Sequence, residues 1–402
     1  MRRLLSTAIR PLPRSPALFY TARRHGAPKV ADTRSRTRRR RDSLGLSDQS
    51  GPYRIDLNAY LIDNPAILAA LRQAGLRGVP IHVLLAPNPY DDGAAVPQER
   101  QALAAIPHLT IRNAPPRFDQ AYSFDHAKYL VVNPGTSQVA AIIGSPNFTD
   151  SAFDGANLEV ATTVTGSPAQ AAAQVFQADW THHPVGSAPR PFLVLSPGAT
   201  ATWLRLLQTP GLIQMTTEEI GDDPTVLSAM AAKGSHLYLL CPSPSSIASQ
   251  NRLDTLAAAG VRIRTLTAPY VHAKTIITPS QAFLGSQNLS AVSLDDNREL
   301  GVLVTGANRA ALATWFAHWW RQATPWTARS ISQPSYGALP TPSTAAPYLP
   351  DGDTMTQVRH LWGNPTAIVH NIYNGQPQTV WIYPAGRVDF QQGRVTDVQR
   401  TT

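Results

Sequence analysis

From residue 54 the chain alternates two kinds of apolar pattern. "RIDLNAYLI" (54–62) and "VPIHVLL" (79–85) are apolar runs of strand length. Between them Ile67, Leu68 and Leu71 recur at helical spacing, which predicts strand, helix, strand. The order returns at 212–241: "LIQMTT", then Val226, Leu227 and Met230 on one helical face, then "HLYLLC". Each copy next reaches a strand that opens with His-Ala-Lys, "FDHAKYLVV" (124–132) and "YVHAKTIIT" (270–278). Each continues to a polar turn, "GSPNFT" and "GSQNLS", and to a strand led by an acid, "NLEVATTV" and "NRELGVLV". Each closes on an aromatic helix, "AAQVFQADW" and "ALATWFAHWW". Matched features in one order predict a duplicated unit.

Strands alternating with helices predict an α/β layer architecture with mixed sheets. Two copies of such a unit are expected to pack about a pseudo-two-fold axis, the first over residues 51–185 and the second over 186–328. The second unit opens with a helix-like stretch, "TATWLRLLQT", that has no evident counterpart in the first. Beyond it, 329–349 is rich in Pro, Ser and Ala and reads as a semi-rigid linker. Residues 350–402 form a third, small α+β domain. There Asp353 or Thr354 would cap a short helix whose Val358 and Leu361 face a core, followed by a hairpin or meander from "TVWIYP" and "RVDFQQGRVTDV".

Charge changes this picture only at the N-terminus. Thirteen of the 35 Lys and Arg residues lie in the first 50 positions, with three Asp. That leaves 22 basic against 23 acidic groups for everything after, so the body is close to neutral although the chain carries +9. Residues 1–50 lack the apolar core of a secretory signal, and Pro11, Pro13 and Pro16 would interrupt an amphipathic helix. They read as a basic, disordered arm or a start placed too early, in which Arg38 to Arg41 could touch phosphates. No run of 18 apolar residues occurs, and the single cysteine, Cys241, rules out an internal disulfide or a cysteine-based zinc site.

The repeated motifs carry the candidate chemistry. Residues two apart on a strand share a face, so His126 points with Lys128, and His272 with Lys274. The turns add Ser145 with Asn147, and Ser286 with Asn288. Brought together, two imidazoles, two ammonium groups and two amides suit a phosphate and its more negative transition state. One histidine can attack phosphorus while the other protonates the leaving oxygen. No metal or other cofactor is expected, because the lysines supply the positive charge. His182 and His183 read as loop residues. Trp315, Phe316, Trp319 and Trp320 read as the packing face of a helix, and Arg262 and Arg264 as surface positions on a strand.

With its paired His-x-Lys and Gly-Ser-x-Asn motifs over residues 51–325, the chain resembles the phospholipase D superfamily. The resemblance implies His126 and His272 as nucleophile and acid/base, with Lys128, Lys274, Asn147 and Asn288 on the phosphate. It implies Glu159 and Glu299 as carboxylates that each orient the histidine of the other unit. The superfamily's motif aspartates are replaced by Asn133 and Pro279. The implied function is a metal-independent phospholipase D that hydrolyses or transfers a phosphatidyl group through a phosphohistidine. A nuclease of the same superfamily and a non-catalytic phosphate- or lipid-binding protein are the alternatives. The expected partner is a phospholipid or another phosphodiester, with peripheral membrane contact and with nucleic acid less favoured. Residues 350–402 resemble the SmpA/OmlA family of small bacterial envelope lipoproteins in Thr354, Gln357, Val358, Leu361, Trp362, Gly363 and Pro365 and in "WIY" (381–383). That implies an envelope protein partner and a periplasmic or secreted location, with the cytoplasm as the alternative.

Overall fold

The computed structural model describes residues 18–21, 54–89, 95–120, 123–328, 349, 353–365, 367–373, 376–383, 386–391 and 393–400. The duplication is a duplication of structure. In the first sheet the strands run Leu18–Thr21, Asn157–Thr165, Ala140–Gly144, Tyr129–Val132, Ile55–Ala59, Ile81–Leu85, Leu109–Asn113. In the second they run Val194–Ser196, Glu299–Val304, Ala282–Gly285, Lys274–Ile277, Ile213–Thr216, Leu237–Pro242, Arg262–Leu266, Thr324–Pro325. Both sheets are mixed: three neighbouring strands pair in parallel, and those carrying the motifs pair antiparallel.

Local chemistry repeats with the fold. The first helix, Pro65–Leu76, starts at Asn64, whose side chain accepts from the Ala66 and Ile67 amides; Pro224–Lys233 starts at Asp223, which accepts from Thr225 and Val226. Each helix has proline in its first turn, where a missing N–H costs nothing. Each buries the predicted face, Ile67 and Leu71 in one and Val226 and Met230 in the other. The closing helices Ser167–Trp180 and Gly306–Gln322 lie in one apolar core with both sheets, where Val131, Ile143 and Phe176 join Leu284, Leu300 and Phe316.

Three features differ from the sequence reading. Leu18–Thr21, within the stretch expected to be an arm, is an edge strand antiparallel to Glu159–Thr162, as Val194–Ser196 is to Glu299–Gly301. The rest of that arm, Arg38 to Arg41 included, lies outside the described residues. Arg264 is no bystander: its guanidinium donates to the Trp320 carbonyl at the end of the closing helix, as Arg112 does to Trp180. In the C-terminal domain Thr354 and Gln357 form a capping box and Val358 is buried, but Leu361 is 38% exposed and does not face the core. Its four strands, Ala367–Tyr373, Gln376–Tyr383, Gly386–Gln391 and Arg394–Arg400, form an antiparallel meander.

Candidate active site

The strand leading to each His-x-Lys motif crosses to the other unit. The His126 amide donates to the Arg298 carbonyl at 2.9 Å, and the Arg298 amide donates back to Phe124 at 2.8 Å. On the other side the His272 amide donates to the Leu158 carbonyl at 3.1 Å, and Tyr270–Val271 pairs with Asn157–Leu158 in parallel. Glu299 follows Arg298 and Glu159 follows Leu158, so the backbone register delivers each histidine to the opposite carboxylate. His126 Nδ1 lies 2.9 and 3.0 Å from the two Glu299 oxygens, and His272 Nδ1 lies 2.6 Å from Glu159 Oε1.

Both carboxylates are buried and hydrogen-bonded. Glu299 accepts from Ser293 Oγ at 2.7 Å and Asn297 Nδ2 at 3.2 Å; Glu159 accepts from Ser145 Oγ at 2.5 Å. Ser145 was expected on the phosphate, as was Ser286. Both hydroxyls are instead fully buried: Ser145 donates to Glu159 and accepts from the Val160 amide, and Ser286 donates to the Leu300 carbonyl at 3.4 Å and accepts from the Leu300 amide. Ser145 thus braces the Glu159 carboxylate. Asn147 and Asn288 do face the space between the units, and their Oδ1 atoms are buried without a hydrogen-bond partner.

A cavity of about 490 Å³ joins His126, His272, Asn147 and Asn288 with Tyr60 and Glu218. A second, of about 350 Å³, shares His126, Tyr60 and Asn288 and takes in Val395 and Thr396, so the C-terminal sheet reaches the edge of the site. Tyr60 and Glu218 escaped the sequence reading. Each stands two residues beyond a strand position paired with the residue after the motif lysine, Asn58 with Tyr129 and Thr216 with Thr275. Tyr60 sets its ring 4.7 Å from Lys128 Nζ and edge-on to His126, 4.6 Å between ring centres. In its place in the other unit, Glu218 accepts from Lys274 Nζ at 2.6 Å and lies 3.4 Å from His272 Nε2.

These surroundings move the titrating groups. Burial drives the His126 imidazole down to about 4, against the opposing pull of Glu299. The ring is therefore neutral near pH 7, with Nδ1–H donating to Glu299 and a lone pair on Nε2. Burial also lowers the Lys128 ammonium to about 7, with the Glu299 charge resisting and the Lys274 charge adding. Burial alone would raise the Glu218 carboxyl, but the His272 and Lys274 charges beside it hold it well below the usual carboxylate range.

The remaining candidates sit elsewhere. Asn133 takes a left-handed turn (φ 53°) at the end of its strand, its amide donating to Arg54, and Pro279 is exposed beside Gly211. His182 and His183 are exposed after the first closing helix, within reach of Asn113 and Thr181. Phe316 stacks on Trp320, as Phe176 stacks on Trp180. Among the described residues no group of three or more His, Cys, Asp or Glu could hold a metal ion, and no helix is long and apolar enough to cross a membrane.

No curated protein matches the sequence. Solved structures show some likeness, and the first of those that follow shares the fold. A phosphatidylserine synthase of Haemophilus influenzae Rd KW20 is 11% identical with a TM-score of 0.51, over 68% of this chain and 82% of that one. A polyphosphate kinase of Porphyromonas gingivalis is 13% identical with a TM-score of 0.49; 67% of this chain aligns with only 43% of the kinase. The phospholipase D family member Nuc of Salmonella typhimurium is 18% identical with a TM-score of 0.31, over 33% of this chain and 95% of that one. The family model described as cardiolipin synthase, PLD-like domain, matches residues 48–180 and 212–320. That is more than half of the sequence and takes in both His-x-Lys motifs, and on that ground the chain belongs to the phospholipase D-like superfamily.

Proposed function

We propose that the protein is a phospholipase D-type phosphodiesterase that works through a covalent phosphohistidine. The crossed His–Glu pairs around one cavity carry this reading. The neutral His126 offers its Nε2 lone pair to phosphorus; the N–P bond forms as the P–O bond to the leaving group breaks. His272 faces the same cavity with Glu218 near its Nε2, a neighbour that suits an N–H, and this N–H protonates the leaving oxygen. His272 Nε2 then takes a proton from water or an alcohol, whose oxygen attacks phosphorus and releases His126. Lys128, Lys274 and the two asparagines bind the phosphoryl oxygens.

A lipid substrate is favoured over nucleic acid by the lining of the cavity. Glu218 and Glu219 line it, and no Lys or Arg does among the described residues. A polyanion is held by rows of cations, whereas a single phosphodiester needs only the two lysines at the centre. The test is a side-by-side assay on phosphatidylcholine or phosphatidylglycerol vesicles and on DNA, with EDTA present. Cleavage of lipid but not DNA is expected. Cleavage of DNA alone would make the protein a nuclease, and binding without cleavage of either would make it a lipid- or phosphate-binding protein.

Glu299→Gln keeps the shape of the carboxylate and removes the charge that favours positive charge on His126. Turnover should fall about 10²-fold or more, the low end of general acid–base effects, with an unchanged melting temperature. Wild-type turnover in this variant would reduce Glu299 to a strand-end residue. The pH profile is a second test. Below about 4 His126 gains a proton and loses its lone pair, and above about 7 Lys128 loses its charge. The profile of kcat/KM, which reports the free enzyme, should therefore fall on both sides of this window. Lys128→Arg keeps its charge to well above pH ~12 and should push the alkaline limb upward. An alkaline limb that stays in place would assign it to another group.

A further inference from the structure

The two half-sites match at histidine, lysine, asparagine and the crossed carboxylate, and differ at one position, Tyr60 in the first and Glu218 in the second. The first lysine looks onto an uncharged ring; the second is bonded to a carboxylate. Glu218 Oε2 sits against Lys274 Nζ and His272 Nε2 together, at 2.6 and 3.4 Å. Those are the two atoms that a phosphoryl oxygen entering this half must approach. Lys274 is fully buried and Glu218 is 21% exposed, so the carboxylate lies between the ammonium group and the cavity. The Tyr270 hydroxyl donates to the other Glu218 oxygen at 3.3 Å and helps to hold it there.

Resting on the phosphodiesterase reading, we propose that Glu218 is a specificity-determining residue, which fits the site to singly charged phosphodiesters and turns away doubly charged monoesters. A diester carries one negative charge, whereas a phosphomonoester near neutral pH carries between about 1.5 and 2. With Glu218 in place, one of the two fixed positive charges that meet the phosphate is already balanced. A second negative charge on the ligand then meets a carboxylate a few ångströms away, where repulsion in a partly buried site is worth tenfold or more in binding. The product of hydrolysis is such a monoester, so the same repulsion would speed its release. The other half holds no such carboxylate: there Tyr60 faces Lys128, whose Nζ donates to the His126 carbonyl at 2.6 Å.

The test measures binding of two small anions to the full-length protein by calorimetry at about pH 6.5–7, below the loss of the Lys128 charge, where inorganic phosphate carries more negative charge than the singly charged dimethyl phosphate. Glu218→Gln should bind phosphate about tenfold or more tightly than wild type and gain less than about threefold for dimethyl phosphate. Glu218→Tyr, which copies the other half, should show the same change in selectivity and guards against a glutamine that disturbs the fold. A gain that is equal for both anions, or no gain for phosphate in a variant with a normal melting curve, would overturn the assignment. Turnover plays no part in this readout. A protein that cleaves no diester yet shows the selectivity change would therefore sink the catalytic reading alone.

Discussion

His126→Ala and His272→Ala should each abolish phosphodiester cleavage, a loss of at least about 10⁴-fold, while the fold survives. His126 is the only group proposed to bond phosphorus, and without it the two-step route has no first step. His272 protonates the leaving oxygen and then activates the acceptor, so its removal slows both steps. Residues that act as one unit lose most of their effect together, and the double variant should be scarcely worse than either single one. The fold should tolerate these changes because the bonds that pin both segments run through backbone amides, His126 to Arg298 and His272 to Leu158. Glu299 also keeps Ser293 and Asn297 as donors. Turnover within tenfold of wild type in either variant, measured with EDTA present, would contradict the two-histidine mechanism.

Arg298→Ala should cost about 3–5 kcal/mol of stability, the range for breaking a buried ion pair on one side only. Arg298 is 2% exposed and reaches across to Asp179 of the first unit through Nε at 2.7 Å and Nη2 at 3.1 Å. Its Nη1 donates to the Ser196 carbonyl at 2.7 Å, and its guanidinium lies over the Phe118 ring. Removal leaves the fully buried Asp179 carboxylate with the half-exposed Arg117 as its remaining ion-pair partner. Urea denaturation gives the loss, and Arg298→Met combined with Asp179→Leu should recover most of it, because the charge then left without its partner, Arg117, is half-exposed to water. A loss below about 1 kcal/mol would mean that water or Arg117 satisfies Asp179 unaided. Activity should fall as well, since the Arg298 backbone positions His126.

The elements of the site that could be read from the sequence are those written twice. The His-x-Lys strands, the Gly-Ser-x-Asn turns and the acids at Glu159 and Glu299 recur in order, and recurrence separates them from chance. Glu218 and Tyr60 are hidden for the converse reason: they occupy one structural position with different residues, so the repeat does not flag them. Glu218 stands 56 residues before Lys274, and only the antiparallel register of their strands brings the two together. The Gly-Ser-x-Asn turns single out Ser145 and Ser286, but a turn motif does not say which way a hydroxyl points, and both are buried away from water. The strand Leu18–Thr21 is four residues within an Arg-rich stretch, too short to stand out until its counterpart Val194–Ser196 is seen on the other sheet.

The central claim is a single site in which one histidine bonds phosphorus and the other moves protons. Acid-free quenching of the wild type and of His272→Ala during incubation with a phosphodiester, followed by mass spectrometry of the peptides, tests it directly. The expected result is a phosphoryl-bearing adduct on the peptide that contains His126, transient in the wild type and, wherever the first step still proceeds, longer-lived in His272→Ala. A wild-type enzyme that turns over with no adduct on any histidine, or with the adduct on His272, would contradict it.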